Sequence, residues 1–212
     1  MSSKQLLAVM GASFLAASVQ ASVITSVEAE NIWNTQQAGM TEVNFNDGTT
    51  SPYVSVTGDY TIYNTPSGTG QSAPPYGINS KFISVHDPVS NGSAKFTLDN
   101  SYDYFGMFWG SVDTYNSIYF YNGANLVASF TGSNISPLIA NGNQTSWKSN
   151  RFVNFFFTDG DSYDSFVLKS TSFAFETDNH AYGNQAKVSE PATLALLGLG
   201  LAGLGFARRK QA

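Results

Sequence analysis

The stretch Ser117-Ile118-Tyr119-Phe120-Tyr121-Asn122-Gly123, continued by Ala124 to Phe130, decides the fold. Its side chains alternate with period two, so Ile118 and Phe120 share one face of a strand and Tyr119 and Tyr121 the other. Asn-Gly supplies positive φ at both central positions, the requirement of a type I′ turn. The stretch reads as an antiparallel hairpin with one buried face.

The same pattern repeats outward along the chain. Met40 to Phe45 ends at Asn46-Asp47-Gly48, and Asp59 to Tyr63 ends at Asn64-Thr65-Pro66. Phe82 to Val85 and Ala94 to Leu98 flank the punctuated segment Asp87 to Gly92. Arg151 to Phe157 and Ser165 to Lys169 read as a second hairpin, closed by Thr158-Asp159-Gly160-Asp161-Ser162, and Ser172 to Thr177 as the last strand. Ser67 to Pro75 has the composition of a long surface loop. No stretch from 22 to 188 combines helical periodicity with caps, and there is no defensible internal repeat. Nine or ten strands in one body predict an all-β fold, an antiparallel two-sheet β-sandwich of jelly-roll-like type.

Composition narrows the function classes. The body keeps six of the ten basic residues and fourteen of the fifteen acids, for a formal charge of −8. That argues against nucleic acid as a partner, which needs clustered cations to displace counterions, and against adhesion to anionic lipid. The chain has no cysteine, which removes thiolate metal sites and cysteine nucleophiles and leaves stability to packing.

Both ends read as targeting segments. Lys4, an apolar run from Leu6 to Ala17 and small residues up to Val19-Gln20-Ala21 have the three parts of a secretory signal peptide, with cleavage between Ala21 and Ser22. The translocon and signal peptidase are its expected partners. At the other end, Ala192 to Ala207 carries only Thr193 as a polar residue, and Arg208-Arg209-Lys210 follow. As a helix this run spans roughly 24 Å, less than the ~30 Å hydrocarbon core. It therefore reads as a marginal anchor or a signal to be processed, its basic end cytoplasmic. Gly198 and Ala202 have the spacing of a helix-dimer face, although glycines that merely weaken a disposable helix are the simpler reading.

The order Ser189-Glu190-Pro191, apolar run, Arg208-Arg209-Lys210 resembles a PEP-CTERM sorting signal, the tail recognised by the membrane enzyme exosortase. The first proline of that signature is Ser189 here, so Glu190 and Pro191 carry the match. The resemblance implies a Gram-negative host making extracellular polysaccharide and transient insertion in the inner membrane. It also implies cleavage near the motif and delivery to the cell surface or biofilm matrix. The body is similar to single-domain proteins of that group through three motifs. These are Val43-Asn44-Phe45-Asn46, then Tyr104-Phe105-Gly106-Met107-Phe108-Trp109-Gly110-Ser111 with Asp113 and Tyr115, and Ala174-Phe175-Glu176 with Asp178-Asn179. The expected organisation is a signal peptide over 1–21, a sandwich over 22–188 and a sorting signal with a short membrane helix over 189–212.

Three constellations could carry chemistry in the body. Gly160-Asp161-Ser162 matches a block of one esterase family, but it falls in a turn, and only His86 and His180 are available as bases. Asp159, Asp161 and Asp164, with Glu28 and Glu30 as helpers, could hold Ca²⁺ in a loop; solvated turn acids compete with that reading. Trp147, Tyr119 and Tyr121, alongside Trp33 and Trp109, could form an aromatic platform for sugar rings of an exopolysaccharide, with Trp109 expected in the core. The sequence is best read as a non-enzymatic exported surface protein. The rivals are a carbohydrate-binding module or adhesin and, behind it, a secreted hydrolase.

Overall fold

The computed structural model describes residues 22–64, 72–85 and 91–186. Within them lie twelve strands: β1 (Val23–Val27), β2 (Thr41–Val43), β3 (Ser55–Gly58), β4 (Tyr60–Tyr63), β5 (Phe82–Val85), β6 (Gly92–Tyr102), β7 (Tyr104–Trp109), β8 (Asn116–Asn122), β9 (Asn125–Thr131), β10 (Arg151–Phe157), β11 (Tyr163–Ser170) and β12 (Phe175–Gly183). The segments expected to flank the body as a signal helix and a hydrophobic helix lie outside the described residues. So does most of the predicted 67–75 loop. Among the described residues no helix is long and apolar enough to cross a membrane.

The strands form two antiparallel sheets. One runs β1-β10-β7-β12-β5-β4, with β2 also on β12, and the other runs β3-β6-β11-β8-β9. From β5 onward, successive strands alternate between the sheets except for the β8–β9 hairpin. The inner faces meet in one aromatic core. There Phe166 stacks on Phe96 with centroids 4.6 Å apart, and Phe105 lies 4.5 Å from Phe166.

The founding hairpin pairs as read, with Ile118 opposite Phe130 and Phe120 opposite Ala128. Ile118 and Phe120 are fully buried, and Tyr119 and Tyr121 are half-buried on the outer face. The turn itself differs from the expectation. Asn122 pairs with Asn125, so the loop is Gly123-Ala124, and positive φ occurs at Gly123 (59°) and not at Asn122 or Ala124. Glycine at the first loop position is the type II′ pattern. The Asn122 side chain instead donates to the Ser162 carbonyl at 3.2 Å.

A second correction concerns residues 151–169, which are not a hairpin. β10 pairs with β1 and β7, whereas β11 pairs with β6 and β8 in the other sheet. The turn at 158–162 is a crossing between sheets. Both strands are rich in large apolar residues, and facing each other across the core covers more of that surface than lying side by side.

β7 carries no period-two signal because it is buried on both faces. Phe105, Met107 and Trp109 point into the sandwich, while Tyr104 and Phe108 join Phe152, Ile78 and Ala181 in a second cluster on the outer side. Trp33, Met40 and Trp147 cover that cluster. Arg151 anchors this cover by donating to the Trp147 and Glu28 carbonyls at 2.8 and 2.7 Å and by pairing with Glu30 at 3.1 Å. A doubly covered strand reads as a continuous apolar run.

Candidate functional site

The two ends of the sandwich are built from different loops. β7 begins beside Asp103 and finishes at Trp109, and its antiparallel neighbours β10 and β12 run the opposite way. At the first end, the Ser22 N–H donates to Asp161 Oδ2 (3.0 Å), and the Ser22 carbonyl accepts from the Thr158 N–H (2.9 Å). At the same end the Gln185 N–H donates to Asp103 Oδ1 (2.6 Å), and its side-chain amide donates to the Asp103 and Phe157 carbonyls. The boundaries toward both terminal segments are therefore tied down together, beside a cavity of 490 Å³ lined by Asp103, Asp159, Asp161 and Gln185.

The opposite end, roughly 20 Å away along β10, holds a cleft of 580 Å³. Its walls come from four chain segments that meet only in the folded state. Ser111, Asp113 and Tyr115 follow β7, Asn141, Gly142 and Gln144 precede β10, Ala174 and Glu176 open β12, and Ser72 and Ala73 precede β5. Asn150 organises them. Its Oδ1 accepts from the backbone N–H of Tyr76 (3.1 Å) and Ser111 (2.8 Å), and its amide donates to the carbonyls of Asn143 (2.7 Å) and Ser146 (2.9 Å). Ser111 is held at φ 36°, a left-handed conformation that a residue with a side chain adopts only when its surroundings enforce it.

Glu176 is the buried acid of the cleft, 3% exposed. Oε1 accepts from the Ala73 N–H (3.0 Å) and Oε2 from the Ser111 hydroxyl (2.9 Å). Burial raises its pKa above the ordinary carboxylate value, and these bonds only partly offset that. Asp113 is raised too, again by burial. Its carboxylate sits so close over Gly142 that a Cβ there would meet Oδ1 at 2.7 Å. Tyr115 donates to the Phe173 carbonyl at 2.7 Å. The Ser72 hydroxyl is buried beside the Glu176 carboxylate and, with the Glu176 backbone N–H, adds to the groups that favour its charged form.

His180 is sealed in the core between the sheets. An extra residue in β12 between Asp178 and Ala181, with Asn179 at φ 49°, forms a bulge against β7. In a regular strand residues three apart face opposite sides; the bulge turns His180 to the same side as Thr177. Thr177 Oγ1 gives its proton to the Phe108 carbonyl (2.9 Å), so it must accept from His180 Nε2–H (3.1 Å). Nδ1 then accepts from the Tyr53 hydroxyl at 2.9 Å. The imidazole is neutral and fully used, and burial lowers its pKa to about 3. His86 lies outside the described residues.

The remaining sequence candidates do not converge. Trp147 packs on Trp33, Tyr76 and Phe108 at the outer side of the seven-stranded sheet. Tyr119 and Tyr121 belong to the five-stranded sheet, so the three do not form one platform. Trp109 is fully buried and stacks on Phe175 at 4.8 Å. Asp161 receives the Ser22 N–H, while Asp164 accepts from Gly123 N–H at 2.8 Å. Among the described residues no three His, Cys, Asp or Glu side chains gather as a metal site. The cleft acids were missed as a constellation, although Ser111, Asp113, Tyr115 and Glu176 all stand within the motifs that carry the body's resemblance.

The body is a two-sheet sandwich held toward both terminal segments at one end, with a polar cleft at the other, and an address segment follows it. That address is a PEP-CTERM protein-sorting motif, present at residues 187–210. It makes the chain an exported, exosortase-dependent surface protein. The matched segment lies outside the described residues and takes in Ser189, Glu190, Pro191, Arg208, Arg209 and Lys210. No curated protein matches the chain.

Proposed function

We propose that the chain is a non-enzymatic component of the cell surface or extracellular matrix, carried as a sandwich whose distal cleft faces away from the membrane. The signal peptide would be removed between Ala21 and Ser22 after passage through the translocon. Residues 192–207 would then hold the protein in the inner membrane, with Arg208 to Lys210 cytoplasmic, until exosortase acts. The observation that carries this reading is the joint anchoring of Ser22 and Gln185 at one end of the strands. A body tethered from there presents its other end outward at every stage of processing. Alternation of successive strands between the sheets supports reading the sandwich as a jelly roll.

A carbohydrate-binding module or adhesin is the second reading, favoured by the cleft at the outward end. The address is tested by deleting Ser189 to Ala212 in the native host. We expect surface-displayed protein to fall at least tenfold, with the domain recovered unprocessed from periplasm or medium. Unchanged surface display would overturn the proposal.

A further inference from the structure

We infer that removal of the signal peptide completes a contact at the boundary of the sandwich: the α-ammonium that cleavage creates on Ser22 pairs with Asp161 and fixes the new N-terminus on the 158–161 turn. The inference rests on the cleavage position proposed above, between Ala21 and Ser22. It begins from the seating of Ser22. Its nitrogen lies 3.0 Å from Asp161 Oδ2, and its carbonyl accepts from both the Thr158 N–H (2.9 Å) and the Thr158 hydroxyl (3.0 Å). Val23 then enters β1 opposite Phe157. The residue is held on both sides of its Cα.

The turn that receives it is built independently of the terminus. The Asp161 N–H donates to the Thr158 carbonyl at 3.0 Å, and Asp159 and Gly160 take φ of 58° and 86°. That reversal brings the Asp161 carboxylate back to the residue that Thr158 holds. With the signal peptide attached, Ser22 offers Asp161 one neutral amide N–H. Hydrolysis adds water across the Ala21–Ser22 bond, leaving a carboxylate on Ala21 and an amine, protonated at neutral pH, on Ser22. The same nitrogen then carries a full charge and three donors, and a charge-assisted bond is stronger than a neutral one.

Exposed ion pairs gain little mainly because two free groups must be ordered to make them; here Thr158 has already ordered one of them. The surroundings also suit a cation. Asp103, Asp159 and Asp161 line the adjoining 490 Å³ cavity, and among the described residues lining it there is no Lys, Arg or His. Glu28 and Glu30, past the far end of β1, are engaged by Asn154 and Arg151. Acidic neighbours raise an amine's pKa. The added stability is therefore complete below the ordinary ~7.7–8.0 and is lost as pH rises through the raised value. A first residue held by its nitrogen and its carbonyl is also a poor substrate for aminopeptidases, which must draw it into their own site.

The test uses the chain from Ser22 to Ala212, released in vitro from a removable N-terminal fusion and kept in mild detergent, beside the same chain acetylated at the Ser22 amine. NMR titration should place the α-amine about half a unit or more higher than in Asp161→Asn. Acetylation should lower the melting temperature at pH 6.5 by about 1–3 °C, with no difference at pH 10 and none in Asp161→Asn. A broad-specificity aminopeptidase should trim Asp161→Asn at least fivefold faster than the native chain. An α-amine that titrates alike in both chains, or equal melting of the free and acetylated native forms at pH 6.5, would overturn the inference; the second comparison needs no variant. Because the fusion fixes the first residue, these outcomes leave the cleavage position untouched. Mass spectrometry of the protein from its host decides that separately, and a first residue other than Ser22 would refute it.

Discussion

Phe166→Ala should lower the stability of the sandwich by about 3–5 kcal/mol, the range for truncating a fully buried aromatic. Phe166 sits at the middle of β11 with no exposed surface. It touches both sheets. Phe96 stacks on it at 4.6 Å with 4° between planes, Phe105 approaches from the opposite sheet at 4.5 Å, and Tyr53 and His180 close the ring at 5.8 and 5.9 Å. Neighbours held in two sheets cannot collapse into the space without moving strands, so most of the cavity should persist. Domains of this kind are stable by only about 5–15 kcal/mol, so the loss would be a large share of the total. Urea unfolding should show a lower midpoint with an unchanged slope. Leu126→Ala, at a site 54% exposed, should change stability by less than about 0.5 kcal/mol.

Asp178→Asn should stabilise the protein at pH 8 by about 2 kcal/mol and have no stabilising effect near pH 4. Asp178 is fully buried, and the Asn179 N–H and the Ser80 hydroxyl, 3.4 Å from Oδ2, offset that burial only in part. Burial raises its pKa to about 7 from an ordinary 3.8, a displacement of about 4 kcal/mol. Above the folded-state value the carboxylate is charged in both states and its desolvation destabilises the fold. As pH falls from about 7 to 4 the folded state takes up the proton first, and that penalty disappears. The asparagine amide leaves one buried group unpaired, which reduces the expected gain.

His180 acts in the opposite sense. Its folded pKa is lowered to about 3 from 6.5, so the unfolded chain takes up the proton first and stability falls as pH drops through that window. Between pH 7 and pH 5 the two groups nearly offset each other in the native protein. Asp178→Asn removes one side of that balance and should expose the histidine. We expect the variant to lose about 2 kcal/mol between pH 8 and pH 5, where the native protein changes little. Denaturation series at pH 8, 6.5, 5 and 4 would check both curves, and a variant parallel to the native protein throughout would contradict them.

Several strands were legible because their signals are local. Phe82–Val85 and Arg151–Phe157 fall on the predicted bounds, where apolar runs are bracketed by breakers. β1 and β3 were missed. Val23–Val27 and Ser55–Gly58 are short, weakly apolar and half-exposed or exposed, so each is a strand only through its partner. β12 runs on from Thr177 to Gly183 across polar residues that would end an isolated strand. They persist because β2, β5 and β7 take up its backbone groups. The cleft was illegible for a related reason. Residues 72, 111, 113, 142 and 176 share no periodicity, and only loop closure brings them together.

What the sequence determined by itself is the class of the body, the two-faced hairpin at 117–130 and the address in the tail. Each depends on residues within about twenty positions of one another, or on chemistry read by an outside enzyme. Tertiary structure decided which strands pair, that β7 is covered on both sides, that His180 is sealed between sheets, and that Asp113 and Glu176 line one cleft. Those outcomes follow from how a fixed set of apolar faces can be covered at once. Many pairings satisfy the local pattern, and only the complete packing of both sheets distinguishes among them.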